Sequence, residues 1–404
     1  MSDRPPPPPL SVACVSVSAA LGGSEWVLLD FATRAAALGV SATVVLPKPG
    51  PLGDALRAAG VAATIAPADE ELLAASQRSM LSFAGVTRFA RGLARWSQAI
   101  GKAVAPLASG GRRPVLYSNG FKAHLACAPL RAHPRVWHLH EFPPDRIAMI
   151  WRSLAAALPD ARIANSEAVA GAWTWGRARP VVVVNGVDLD RFRPGPRTFW
   201  IHDQLGLAHD ARLIGMPAVF ARWKGHLHVV EAFERAAGRL EDAHLVLVGG
   251  PIYDTTAETG YAEELVRRVR RSSASGARTT ESLAGRIHFL KFHPEPWRLY
   301  AEFDVVVHFS TRPEPFGRVI TEAMASGVPV IAADAGGPRE IVEDGVTGWR
   351  VPPGDVPALS ERMVTALETD TGPMRAAARR AAQARYSAER FAREVADVLR
   401  RAAP

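Results

Sequence analysis

The strongest constraint on this chain is a rhythm. Short, nearly all-apolar runs alternate with glycine-containing turns and amphipathic helical stretches. Ser11–Ser18 (SVACVSVS) is β-branched and apolar, and ends in Leu21-Gly22-Gly23-Ser24-Glu25. A helical pattern then begins at Trp26 and continues through Leu29, Phe31, Ala35 and Leu38. Gly39 stops it, and Ala42–Leu46 reads as the next strand. Strand, turn, helix, strand is the opening of a doubly wound parallel sheet. Val115–Ser118, Val136–His140, Arg162–Asn165 and Val181–Val184 read as further strands, apolar on both sides as strands covered by helices on both faces must be.

Asn185–Pro196 (NGVDLDRFRPGP) is rich in turn formers and reads as a linker. After it the rhythm restarts, with Leu213–Val219, His244–Val248, Ile287–Leu290, Val305–Phe309 and Val328–Ala332 as strands. The predicted architecture is therefore α/β, with two Rossmann-like doubly wound domains facing across a cleft. Their ligands belong at the C-terminal strand ends. The expected division is a Pro-rich leader over 1–9, a first domain over 10–190 and a second over 191–385. A closing helix over 386–404 has Ser387 as its N-cap and Phe391, Val395, Val398 and Leu399 as its apolar stripe.

Composition narrows the class. The chain has 404 residues, 48% hydrophobic and 22% charged, which suits two ordinary globular domains. Two cysteines, Cys14 and Cys127, cannot staple it, and no Cys/His spacing suggests a metal. No apolar run reaches membrane-spanning length and no signal peptide is visible, so a reducing, cytoplasmic setting is expected. The net charge of +8 fits phosphorylated substrates or an anionic membrane, and fits a plain arginine bias as well. No zinc-finger, RNP or helix-turn-helix spacing points to nucleic acid.

The chemistry concentrates in Arg312–Arg350, RPEPFGRVITEAMASGVPVIAADAGGPREIVEDGVTGWR. Pro313, Pro315 and Gly317 hold Glu314 in a loop beyond a strand. A helix then starts near Arg318, and its free amides and positive end suit an anion or sugar hydroxyls. Glu322 lies one turn in, so both carboxylates are expected in one pocket. Gly336 and Gly337 can bring a second backbone loop close to the same ligand. Val219–Gly225 (VFARWKG) supplies Arg222 and Lys224 just after the first strand of the second half. Gly22-Gly23-Ser24-Glu25 is either a ligand-approaching loop or a plain tight turn. Trp137-His138-Leu139-His140-Glu141 puts His140 at a strand end and His138 inside the strand.

The 312–350 segment resembles the E-x7-E motif of retaining glycosyltransferases of the GT-B fold, the family 4 or group 1 type that includes sucrose synthases and bacterial mannosyltransferases. The Glu314–Glu322 spacing and the flanking PFG, EAMASG and GGPREIV carry the resemblance. It implies a nucleoside-diphosphate sugar as co-substrate, an acceptor hydroxyl, and neither cofactor nor metal. Glu314 would bind a hydroxyl of the transferred sugar. The amides of Phe316, Gly317 and Arg318 would bind its neighbours, and Glu322 the ribose diol. Lys224 would stabilise the leaving diphosphate. The family's arginine position holds Val219, and Arg222 stands as its replacement. His140 would lie near the reacting centre, and Gly22, Gly23 and Glu25 would face phosphates and acceptor. Phe292 is a candidate beside the nucleobase.

Asp188-Leu189-Asp190 looks like metal-binding Asp-x-Asp but sits in the linker, where it implies no metal. Asn165-Ser166 is either a site position or a helix cap. Arg88, Arg91, Arg95 and Lys102 line one side of a helix. They point either to membrane contact with a lipid-linked acceptor or to an ordinary helix packing Phe89, Leu93, Trp96 and Ile100 inward. The acceptor is a glycan, a lipid-linked sugar or a small alcohol. Two other functions remain open: a nucleotide-sugar 2-epimerase and a non-catalytic nucleotide-sugar binding protein.

Overall fold

The computed structural model describes residues 9–75, 82–143, 159–173, 178–250, 260–272 and 285–403; the expected leader thus falls, but for its last residue, outside the described residues. Two compact units emerge, residues 1–186 joined by 388–404, and residues 187–387. The first boundary lies within the turn-rich linker. The expected closing helix, observed as Ala388–Ala402, is an integral part of the first unit.

The first unit holds a seven-stranded parallel sheet in the order β3-β2-β1-β4-β5-β6-β7. Its strands are β1 (Leu10–Ser16), β2 (Val40–Leu46), β3 (Ala62–Ile65), β4 (Val115–Asn119), β5 (Arg135–Leu139), β6 (Ala161–Ala164) and β7 (Val181–Val182). One face packs Val12, Cys14, Val44, Tyr117 and Val136 against the helix Gly23–Ala35 and the helix Ala388–Ala402. From the latter come Phe391, Val395, Val398 and Leu399, all buried, so the stripe read from sequence is a core stripe. The other face is covered by the helix Phe83–Val104, which buries Phe89, Trp96 and Ile100. Trp96 Nε1 donates to Ala66 O at 3.1 Å. Its arginines project outward, and Arg95 pairs with Asp69 at 2.7 Å.

The second unit holds six parallel strands in the order β10-β9-β8-β11-β12-β13. They are β8 (Arg212–Pro217), β9 (Ala243–Val248), β10 (Ile287–Leu290), β11 (Val305–His308), β12 (Val330–Ala333) and β13 (Trp349–Val351). Ile214, Met216, Leu245, Val305 and Ile331 pack with Val229, Phe233 and Leu359 from covering helices.

Three sequence expectations need correction. The edge strands β3 and β13 went unread; β3 (AATI) is largely exposed and β13 (WRV) is very short, so neither carries a long apolar run. The run Val181–Val184 pairs over two residues only, at the sheet edge. The run Leu213–Val219 ends as a strand at Pro217, and its turn then begins.

Both free cysteines are buried in the first unit. Burial pushes the Cys127 thiol up to about 12, and Cys14 higher still, so neither is poised as a nucleophile.

Candidate functional site

Sheet order dictates where a site can form. In the second unit the chain moves outward from β8 to β9 and β10, then returns to lay β11 on the other side of β8. Loops leaving the C-terminal ends of β8 and β11 therefore diverge at a switch point, where a crevice opens in parallel sheets. Lys224 leaves β8 and Glu314 leaves β11, so this order brings together two side chains 90 residues apart.

Lys224 Nζ donates to both Glu314 oxygens, at 2.9 and 2.8 Å. The turn that carries Lys224 is pinned. Gly225 has φ +80°, and a Cβ there would meet Phe309 O at 2.0 Å, so only glycine fits. Thr311 N donates to Trp223 O at 2.8 Å, tying this turn to the exit of β11. Lys224 Nζ also lies 4.1 Å from the centre of the Trp223 ring.

Glu314 receives a further hydrogen bond from Ser310 Oγ at 2.8 Å. His308 Nε2 lies 3.6 Å away, beyond a normal hydrogen bond. Burial by itself would raise the Glu314 carboxyl. The charge of Lys224, with its hydrogen bonds and the adjoining His308, overcomes that and holds the group well below the usual carboxylate range. His308 is buried, and neither ring nitrogen has a hydrogen-bond partner.

Glu322 has a separate set of partners. It lies in the helix Arg318–Ala325, whose cap Gly317 adopts φ +101°. Arg318 Nε donates to Oε1 at 3.1 Å across one helical turn. Tyr300 Oη donates to Oε2 at 2.6 Å. Burial, then the Glu322 charge, raises the Tyr300 hydroxyl well above its ordinary range, so it stays a donor. Phe316 is buried edge-on against Tyr386, which leaves only its backbone for a ligand.

Gly336 and Gly337, expected to let backbone approach a ligand, close on the Glu314 loop itself. A Cβ on Gly336 would meet Glu314 O at 2.3 Å, and one on Gly337 would meet Phe316 Cα at 2.5 Å. Gly337 N donates to Glu314 O at 2.8 Å. The glycines thus fix the loop that presents Glu314. Arg222 is drawn to the helix Tyr261–Ser272, where it pairs with Glu264 and lies 4.9 Å from the Tyr261 ring centre. Phe292 is 40% exposed after β10.

In the first unit the switch lies between β1 and β4. Gly22 caps the helix Gly23–Ala35, and Glu25 is buried in its first turn, taking a hydrogen bond from Ser24 Oγ at 2.9 Å. Asn119 Nδ2, from the end of β4, donates to Ser24 O at 3.2 Å and holds that turn. His140 stands one residue beyond β5, half-buried, with its ring 3.9 Å from that of His138. His138 is inside the strand, against Tyr117, and burial followed by the neighbouring His140 lowers it well below the ordinary histidine range. Ser166 caps the helix Glu167–Ala172, accepting from Val169 N at 3.1 Å.

Asp188 is a turn former: its Oδ1 accepts from the amides of Asp190 and Arg191, both at 3.1 Å. Among the described residues no group of three His, Cys, Asp or Glu could hold a metal ion. No described helix is long and apolar enough to cross a membrane.

His308, Ser310 and Tyr300 were not singled out from sequence. Tyr300 lies 22 residues before Glu322, and nothing local marks it. Ser310 and His308 sat in the strand VVVHFS and read as strand filler.

Two parallel doubly wound sheets, each with its switch point, match the fold of solved GT-B glycosyltransferase structures. The particular domains follow that order: residues 21–191 match Glycosyltransferase Family 4, and residues 199–385 match Glycosyl transferases group 1. Anabaena HepE, crystallised with UDP-glucose, is 26% identical, with a TM-score of 0.79 over 97% of this chain and 100% of that one. Sucrose-phosphate synthase of Thermosynechococcus elongatus shares the fold at 20% identity, with a TM-score of 0.75 over 97% and 98% of the two chains. The D-inositol 3-phosphate glycosyltransferase of Actinosynnema mirum is 32% identical over 52% of this chain and 49% of its own length. That of Mycobacterium tuberculosis F11 is 33% identical over 51% and 40%. The chain thus matches about half the length, or less, of these curated relatives.

Proposed function

We propose that this protein is a retaining glycosyltransferase that moves a sugar from a nucleoside-diphosphate sugar, of the uridine type, to an acceptor hydroxyl without using a metal. The observation that carries the reading is the half-buried Lys224–Glu314 pair at the β8/β11 switch point. UDP-glucose bound by Anabaena HepE supports the choice of donor.

In this reading the donor's phosphates draw Lys224 away from Glu314. Released, the Glu314 carboxylate accepts a hydrogen bond from a sugar hydroxyl. The amides of Phe316, Gly317 and Arg318 hold neighbouring hydroxyls at the helix start. Glu322 takes the ribose. The bond from the anomeric carbon to the diphosphate oxygen breaks, and its electron pair leaves with the diphosphate, whose charge Lys224 stabilises. The acceptor oxygen bonds to the anomeric carbon on the same face, and its proton passes to the leaving phosphate. His140, Gly22, Gly23 and Glu25 serve the acceptor and phosphates, Phe292 lies beside the base, and Gly336 and Gly337 hold the Glu314 loop.

Arg222 pairs with Glu264 on the surface, and Val219 carries no charge, so a second reading, nucleotide-sugar binding without turnover, has an observation behind it. The test is a thermal-shift screen of UDP, GDP and ADP and their glucose conjugates, followed by product analysis with and without a chelator. Selective stabilisation by one nucleotide, with α-linked product from an α-linked donor unaffected by chelation, supports transfer. Tight binding with neither transfer nor donor hydrolysis favours the second reading, and an altered free sugar would indicate epimerisation.

A further inference from the structure

Glu322 has two oxygens, and each is held by one protein donor. Arg318 is a neighbour in the same helix, as spacing predicts. Tyr300 is not: it ends a different short helix, Trp297–Tyr300, and its ring is buried. Phe192 packs edge-on against that ring at 5.7 Å between centres, and against Trp297 at 6.3 Å, so the phenol is held from behind. A buried carboxylate with donors on both oxygens is fixed in rotation, while each oxygen keeps a lone pair for a further donor. That arrangement suits a vicinal diol, whose two hydroxyls must be met at one spacing.

We propose that Tyr300 is the positioning residue for the ribose-binding carboxylate, acting through Glu322 and setting the preference for ribo- over 2′-deoxyribonucleotides. The inference rests on the assignment of Glu322 to the ribose. Tyr300 touches no substrate. Its phenol locks the carboxylate so that its remaining lone pairs face outward, and Phe192 keeps the phenol in place. Without the hydroxyl, Oε2 loses its protein donor and the carboxylate rotates about Arg318. Removing one hydrogen bond to a charged group corresponds to about a tenfold change in affinity.

The test measures dissociation constants for ribo and 2′-deoxy forms of UDP, GDP and ADP, using the pair whose ribo member binds wild type most tightly. Tyr300→Phe and Glu322→Gln are compared with wild type in the full chain. Tyr300→Phe is expected to weaken the ribonucleotide about tenfold and the 2′-deoxy form, which offers Glu322 the 3′-hydroxyl alone, clearly less, so that the ribo preference shrinks while retained binding certifies a folded site. Glu322→Gln is expected to abolish the ribo preference. If Glu322→Gln abolishes the preference but Tyr300→Phe keeps it, the positioning role is wrong while the ribose assignment stands. Equal weakening of both forms by Tyr300→Phe reduces the tyrosine to a structural part and overturns the proposal. If Glu322→Gln preserves the preference, or none of the nucleotides binds, the ribose assignment fails and takes this inference with it.

Discussion

At the scale of single residues, the donor-side chemistry proposed above rests on a few half-buried charges. Glu314 and Lys224 neutralise each other, which keeps a half-buried carboxylate ionised. Glu314→Gln is expected to lower kcat/KM for the donor by roughly ten- to a hundredfold, the worth of a charged hydrogen bond. Nucleotide affinity should stay level or rise, because Lys224 loses its competitor. Lys224→Ala is expected to lower kcat by roughly a hundredfold or more and to weaken diphosphate binding. Steady-state kinetics with isothermal titration check both, and near-normal turnover in Glu314→Gln would refute the assignment. The pair also sets a pH dependence. The native Glu314 carboxyl lies below its unfolded range, so the unfolded chain binds the proton first as pH falls. The contribution is therefore complete above about pH 5 and fades as pH drops below the ordinary carboxylate range near 4. Wild type and Glu314→Gln should accordingly show a constant gap in Tm from neutral pH to about 5, narrowing below it.

At the scale of elements, tight turns aim these residues. Gly225 turns β8's exit toward Glu314, in a conformation closed to other residues and against a carbonyl that leaves no space. Gly225→Ala is expected to combine backbone strain of about 1 kcal/mol with displacement of the Phe309 carbonyl. It should lower Tm and weaken nucleotide binding together, and calorimetry with titration reads both. A variant that matched wild type in both would show that the turn does not set Lys224. Part of this was legible in sequence: the loop carrying Glu314 and the helix start at Arg318 are marked by prolines and glycines. The close packing of Gly336 and Gly337 on the Glu314 loop was not, because only the packed loops show which backbone a glycine must clear. Arg222 illustrates the same limit: its partner Glu264 lies on a helix about forty residues on, and both side chains stay open to solvent.

At the scale of the whole molecule, the chain crosses back at its end. The helix Ala388–Ala402 is built into the core of the first unit, with Phe391 between sheet and helix. Phe391→Ala is expected to cost about 3–5 kcal/mol, and hydrogen exchange should locate the loss in β4, β5 and β6. Nucleotide binding by the second unit should persist. A loss confined to the second unit would contradict this division. The amino-acid sequence by itself determined the two α/β halves, the turn-rich linker and the Glu314–Glu322 segment. Those features are local, written in apolar runs, prolines and glycines a few residues apart. Tertiary structure decided which distant side chains meet: Lys224 with Glu314, Tyr300 with Glu322, Arg222 with Glu264. Sheet order and helix packing set those distances, and a parallel sheet brings together strand ends that lie tens of residues apart along the chain.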